Sequence, residues 1–291
     1  MTGVMTWTPG PPREVGPGRR MLEVALCVAV WIGIGALIND GGTDTASAST
    51  INWYLLIGIP IVIVFQLWVR RRPLLELWVR EGGRSITRPV LFRVLFVAAA
   101  IYPAYTVIDS FVDWEGGAFL VFGLTSIVGA AGFAYAYVHF DRRVLKYLAF
   151  CLGTAGVLGA GPAVVHDFTH SLSHPVKDQP SSDLGVFWIS LLTYLPSLYV
   201  MEEVAFRGCF DSHAHHGGDR RGVLTAIYVS VIWGLWHAPV IGWDEIPILV
   251  AYQGVIGTFL SIWWRKSGNL GVSATTHAVI DSVRNASGAI P

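Results

Sequence analysis

The chain has 291 residues, of which 53% are hydrophobic and only 14% are charged, and its formal net charge is zero. A soluble domain carries roughly a quarter of its residues charged, so this composition excludes an ordinary soluble protein and predicts an integral membrane protein. The cysteines Cys27, Cys151 and Cys209 are scattered through apolar sequence, which excludes a disulfide framework and a cysteine-based zinc motif.

Apolar segments follow one another along the chain and predict an all-α fold, a polytopic transmembrane helix bundle of eight or nine membrane segments. Residues 1–20, rich in Pro and Gly, are predicted to form a disordered cytoplasmic tail. The predicted spans are 21–38, 51–69, 90–108, 118–139, 144–165, 184–201, 223–240, 246–264 and 270–283.

Basic residues are concentrated in alternate connections between these spans, whereas the other connections are acidic and have Lys177 as their only basic residue. By the positive-inside rule, the protein is predicted to lie in the cell membrane with a cytoplasmic amino terminus, and residues 202–221 meet the cytosol. The connection 70–89 mixes arginines with leucine and tryptophan, which predicts an amphipathic stretch lying on anionic lipid.

The string EEVAFRG, residues 202–208, places charges at the end of an apolar segment. On an α-helix, residues four apart share a face, so Glu203 and Arg207 can pair, whereas Glu202 points about 100° away. Glu202 therefore has no partner on its own helix. A poorly solvated, unpaired carboxylate suits a general base. The plainer interpretation is a salt-bridge cluster at a helix end.

The next two polar groups repeat the four-residue spacing on later segments. Trp233 and His237 share a face in WGLWHAP, and His277 and Asp281 share one in HAVID, where the carboxylate can orient the imidazole. A single histidine in an apolar helix is usually a packing residue. Three segments that each offer ionisable or hydrogen-bonding side chains predict a shared functional site, because charges at membrane depth are costly.

In these motifs the sequence resembles the CAAX prenyl protease and bacteriocin-processing family, also called the Abi family, of intramembrane glutamate proteases. The family pattern of Glu-Glu-x3-Arg, Phe-x3-His and His-x3-Asn or His-x3-Asp stands here as Glu202, Glu203 and Arg207, then Trp233 and His237, then His277 and Asp281. The resemblance covers residues 184–285. It implies a catalytic core in 184–291, with 21–183 as accessory transmembrane helices.

The resemblance implies an intramembrane endopeptidase that hydrolyses a membrane-associated peptide or protein without a metal or other cofactor. Glu202 and His237 would activate a water, while His277 and residue 281 would stabilise the oxyanion. Glu203, Arg207 and Trp233 would support them. Trp233 replaces the usual Phe. Asp281 stands where eukaryotic members have Asn, and an ionised Asp cannot donate to an oxyanion, so it must be protonated or orient His277. The expected partners are this substrate and the lipid bilayer, with no nucleic acid.

Two alternatives remain open from the residues alone. One is a zinc hydrolase with Glu202, His237 and His277 as ligands, although the HExxH helix is absent. The other is a non-catalytic membrane scaffold, immunity-type protein or transporter that uses buried ionisable residues. A separate metal site at His166, His170 and His174 is disfavoured by Pro175 and by polar surroundings.

The predicted spans leave a mismatch in depth. If span six ends at residue 201, Glu202 lies at the cytosolic boundary, whereas His237 lies some 21 Å deep at 1.5 Å per residue. Continuing span six through Phe210 would move Glu202 about 12 Å into the membrane. The shared site requires such a shift.

Overall fold

The structure is a computed structural model that describes residues 15–38, 48–80, 86, 88–113, 117–173, 182–215, 222–241 and 243–287. Apart from an isolated β-bridge between Val79 and Asn269, its regular elements in these ranges are helices. The α-helices are α1 Pro17–Ile38, α2 Ala48–Val64, α3 Pro89–Asp113, α4 Gly117–Val138, α5 Arg142–Cys151, α6 Val157–Ser173, α7 Ser182–Leu198, α8 Ser212–Ala214, α9 Gly222–Trp236, α10 Ala238–Ile241, α11 Ile246–Ser267 and α12 Gly271–Ala286. Three stretches have π-helical geometry, Phe65–Val69, Leu152–Gly156 and Val204–Asp211, and Leu74–Leu77 forms a 3₁₀ turn.

Six helical stretches of the described chain are long and apolar enough to cross a membrane, and two shorter ones, Trp53–Val69 and Leu184–Leu198, are also apolar. The outer helices expose large apolar side chains, as lipid contact requires; on α3 these include Val90, Val94, Val97 and Ile101. Helix α12 is shorter and more polar, and it packs chiefly against α7. The predicted polytopic helical bundle is therefore confirmed.

The ends of the predicted spans agree with the helices to within a few residues, apart from two longer extensions. Helix α6 continues through Ser173, which lengthens the predicted span 144–165. Helix α1 begins at Pro17, so the last residues of the predicted tail are helical, and residues 1–14 lie outside the described ranges. His174 lies outside them too, as do the side chains of His166 and His170, so the structure leaves that histidine set untested.

The other long extension follows span six, and it resolves the mismatch in depth between Glu202 and His237. Helix α7 ends at Leu198, the chain turns through residues 199–201, and a second helical run continues from Glu202 to Ala214. Asp211 in this run pairs with Arg265 near the end of α11, with Oδ1 and the guanidinium nitrogen 2.6 Å apart. Arg265 also donates to the carbonyl of Gly222, the first residue of α9. The run therefore ends level with the start of α9, and Glu202, nine residues before Asp211, lies deeper in the bundle.

An aromatic cluster joins the first two helices to this run. Trp31 of α1 stacks on Phe206 with ring centroids 6.3 Å apart, and Tyr54 of α2 stacks on Trp236 at 5.1 Å. The Tyr54 hydroxyl also donates to the carbonyl of Trp236 at 2.6 Å. Trp31, Tyr54, Phe206 and Trp236 are each at most 1% exposed. The helices before residue 184 thus complete the interior around the candidate site.

The arginine-rich connection also packs into the protein. Val79 bridges Asn269, and the amide of Arg80 donates to the carbonyl of Gly268 at 2.8 Å. Leu77 and Val79 are buried, and the carbonyl of Leu77 lies where a β-carbon at Gly208 would project. Backbone bonds to the α11–α12 turn therefore hold residues 77–80 against the bundle, and the predicted contact of the connection 70–89 with lipid stays a prediction.

Candidate active site

Glu202, Trp233 and His237 meet where the second helical run contacts α9. The indole nitrogen of Trp233 donates to Oε2 of Glu202 at 3.1 Å, and Nε2 of His237 lies 3.8 Å from the same oxygen. The side chain of Glu202 is 19% exposed and that of His237 17%. A small polar molecule can therefore reach both groups.

The backbone fixes the tautomer of His237. Its Nδ1 lies 2.9 Å from the carbonyl oxygen of Trp233, one helical turn earlier. Since a carbonyl only accepts, Nδ1 must carry the proton, and in the neutral ring Nε2 is then an acceptor. The acceptor nitrogen of His237 and the carboxylate of Glu202 thus face the same space.

Glu203, Arg207, His277, Asp281 and Arg284 form a second cluster beside the first. Glu203 and Arg207 are fully buried, with Oε1 and the guanidinium 3.4 Å apart. Nδ1 of His277 lies 3.1 Å from the same Oε1, and its Nε2 lies 3.3 Å from Oδ2 of Asp281. Arg284 extends the chain of charges, 3.8 Å from Oδ1 of Asp281.

The position of His277 between two carboxylates determines its favoured form. Both ring nitrogens face carboxylate oxygens, and both can donate only when both carry a proton. The imidazolium is therefore favoured. With His277 charged, the cations Arg207, Arg284 and His277 balance the carboxylates Glu202, Glu203 and Asp281.

Trp233 separates the two clusters and contacts both. The guanidinium of Arg207 lies over its ring at 4.1 Å from the centroid, a cation–π contact in a desolvated setting. The ring of His277 meets Trp233 edge-on, with centroids 5.1 Å apart and an interplanar angle of 82°. The indole thus packs against Arg207 and His277 of the ion cluster and donates its N–H to Glu202 of the first cluster.

Gly257 on α11 leaves room for Arg207. A β-carbon at this position would lie 2.8 Å from a guanidinium nitrogen of Arg207 and 2.7 Å from the hydroxyl of Ser230. Both distances are shorter than real β-carbon contacts, and the buried Arg207 has no space to withdraw. Because glycine has no β-carbon, Gly257 permits α11 to pack against the ion cluster.

The structure brings together the seven residues predicted from the sequence, in two touching groups. The three predicted pairs at four-residue spacing are present, although residues 204–211 have π-helical geometry. Two features of the site were not predicted from the sequence: Arg284, which the spacing of three from Asp281 indicates, and the indole N–H of Trp233 as a hydrogen-bond donor. Within the described ranges, no three His, Cys, Asp or Glu side chains are grouped so that they could hold a metal ion.

The comparisons with known proteins point to one family. A family model described as type II CAAX prenyl endopeptidase, Rce1-like, matches residues 184–283, the stretch that contains both clusters. No curated protein and no solved structure matches the chain. The match confirms the resemblance to the CAAX protease family and, with the six apolar helices, supports a multi-pass membrane protein of protease type.

Proposed function

We propose that this protein is an intramembrane endopeptidase that hydrolyses a membrane-associated peptide or protein with a water activated by Glu202 and His237. The proposal rests on one observation: the carboxylate of Glu202 and the acceptor nitrogen of His237 lie 3.8 Å apart and are partly exposed. That separation is too long for a direct hydrogen bond, but a water can donate to both groups. Glu203 and Arg207 are sealed from solvent and cannot serve in this way.

In the proposed reaction, the water oxygen attacks the scissile carbonyl carbon while one of its protons passes to Glu202 or His237. The carbonyl oxygen becomes an oxyanion, and collapse of the tetrahedral intermediate breaks the C–N bond. The same proton is delivered to the leaving amine, which gives one carboxylic acid product and one amine. No metal or other cofactor enters this sequence.

The second cluster is proposed to support the reaction electrostatically. Its net positive charge, carried by Arg207, Arg284 and His277 against two carboxylates, lies beside Trp233 and favours the developing negative charge. In the structure both nitrogens of His277 are engaged with carboxylates. Donation from His277 to an oxyanion therefore requires substrate to displace Asp281, which we propose orients His277 in the resting state.

Trp233 is proposed to position Glu202 through the indole N–H. Replacing Trp233 by Phe keeps an aromatic ring against Arg207 but removes the donor. A hydrogen bond to a charged group is worth about 1.5–3 kcal/mol, so we expect kcat to fall by roughly 10- to 100-fold with little change in KM. Steady-state kinetics on the purified variant measure both constants.

Trp236→Phe is the matched control for that substitution. It removes the same volume from a second indole that, like Trp233, packs against Phe206, but the indole nitrogen of Trp236 has no hydrogen-bond partner among the described residues. We expect its kcat to stay within about twofold of the parent. Equal losses of kcat in the two variants would assign the effect of Trp233 to packing.

The function is tested with the purified protein in liposomes and a library of membrane-anchored peptides, with and without a prenylated C-terminal cysteine. We expect endoproteolytic products, detected by mass spectrometry, and a rate unchanged by a zinc chelator. Loss of activity to the chelator with recovery on adding zinc would establish the zinc hydrolase instead. If no peptide is cleaved and substitution of Glu202 is silent in the cell, the scaffold alternative replaces the enzyme.

We also propose that the amino terminus is cytoplasmic and that the membrane is the cell membrane. The support is the charge of the connections, because α11 ends in Arg265 and Lys266 at the same end of the bundle as the start of α9. The site would then open toward the cytosolic side of the bundle.

A further inference from the structure

A polar cavity lies outside the candidate active site, at the end of the bundle where α4 and α11 end and α5 begins. Its volume is about 260 Å³, and it is enclosed by the start of α5, the end of α11 and residues 79–80. Among the side chains that line it are four cations, Arg80, Arg143, Arg265 and Lys266. The cavity thus combines a strongly basic lining with a position at the ends of three apolar helical spans, namely α4, α5 with α6, and α11.

Three of these cations are not neutralised within the described ranges. Arg265 is engaged by Asp211, but Arg80, Arg143 and Lys266 have no carboxylate within 4.0 Å among the described residues. The one carboxylate of the lining, Asp141, uses Oδ1 to accept from the amide of Val144 at 2.8 Å. The charges of this site therefore favour an anion.

The three cations are also held in place without acidic partners. Arg143 donates to the carbonyl of Lys266 at 3.1 Å, Arg80 lies over the ring of Trp264 at 5.6 Å, and Lys266 lies over Trp263 at 4.6 Å. Carbonyl and ring contacts restrain a cation but leave its charge available. Such pre-positioned donors suit a phosphate, which accepts several hydrogen bonds from arginine and lysine.

We propose that this cavity binds the phosphate group of an anionic phospholipid. The apolar spans α4 and α11 end beside it and the span formed by α5 and α6 begins there, so we place its mouth at the level of the lipid phosphates. The partly exposed Trp263 borders the same end of α11, as tryptophans do at membrane interfaces. This site goes beyond the proposed hydrolysis and does not depend on it.

The test is native mass spectrometry of the full-length protein in detergent, titrated with phosphatidylglycerol or phosphatidylcholine. We expect phosphatidylglycerol to bind at least tenfold more tightly than phosphatidylcholine, and Arg143→Gln/Lys266→Gln to lose about tenfold of that affinity. The control pair, Arg142→Gln/Lys146→Gln, removes the same charge from exposed positions on α5 that do not line the cavity. It should stay within about twofold of the parent.

If the double variant unfolds, the affinity of the single variant Arg143→Gln for phosphatidylglycerol is measured instead, because Arg143 is exposed and its replacement does not disturb the core. Equal losses in the cavity and control pairs, or no preference for phosphatidylglycerol, would overturn the site. Inorganic phosphate and glycerol phosphate form a separate arm. Displacement of the lipid by either at comparable concentration would assign the cavity to a soluble phosphate and overturn the lipid as its ligand.

Discussion

Replacing Glu202 by Gln is expected to reduce peptide hydrolysis by roughly three orders of magnitude, within the range that loss of a general base produces. Gln has nearly the same shape as Glu, and its amide oxygen can still accept from the indole of Trp233. It cannot take a proton from water. The expected result is therefore a protein of normal abundance and thermal stability with almost no kcat, measured in liposomes with a cleaved peptide.

Glu245→Gln is the matched control for this experiment. Glu245 precedes α11, is exposed, and makes no side-chain capping bond to the helix. The substitution Glu245→Gln makes the same chemical change outside the site, and we expect kcat to be unchanged. Hydrolysis at the parental rate by the Glu202→Gln protein would contradict the assignment of Glu202 as the base. His237 would then be the remaining candidate for that role.

Breaking the buried ion cluster is expected to have the largest effect on stability. Glu203→Gln leaves Arg207 beside a neutral amide at a position where both side chains are 0% exposed. Removing one partner of a buried pair costs about 3–5 kcal/mol, because the remaining charge is neither hydrated nor paired. We expect a lower unfolding temperature in detergent and reduced abundance in the membrane, measured by differential scanning fluorimetry and immunoblotting.

The double variant Glu203→Gln/Arg207→Met separates pairing from packing. If the loss arises from an unpaired charge, the double variant should be more stable than Glu203→Gln, since both charges are gone. Glu76→Gln is the control, because the Arg72–Glu76 pair has the same spacing but is partly exposed, with its charges 3.7 Å apart. We expect it to change stability by less than about 1 kcal/mol. A Glu203→Gln protein as stable as this control would refute the account of the cluster.

The sequence was sufficient for the side-chain pairs because each is local. Glu203 with Arg207, Trp233 with His237, and His277 with Asp281 are four residues apart, and neighbouring turns bring such residues together whichever helices surround them. The spans were predictable for a similar reason, since apolar length alone separates a membrane helix from a connection. The likeness to a protease family follows from the same three pairs and is confirmed by the match to residues 184–283.

The remaining features depend on contacts between distant parts of the chain. The depth of Glu202 depends on the turn at 199–201 and on the pairing of Asp211 with Arg265, 54 residues later. The indole of Trp233 becomes a donor only because Glu202, 31 residues earlier, lies against it. Likewise, backbone bonds to the α11–α12 turn hold residues 77–80 against the bundle and bury Leu77 and Val79, and amphipathic composition alone does not distinguish that partner from lipid.

The aromatic cluster has a consequence for how such a chain could be inherited. Phe206 and Trp236 belong to the segment matched by the family model, whereas their partners Trp31 and Tyr54 belong to the first two helices. If a gene rearrangement exchanged only the amino-terminal half, the rings of Phe206 and Trp236 would lose Trp31 and Tyr54 as packing partners. Through this packing, the side chains tolerated at positions 31 and 54 depend on those at 206 and 236.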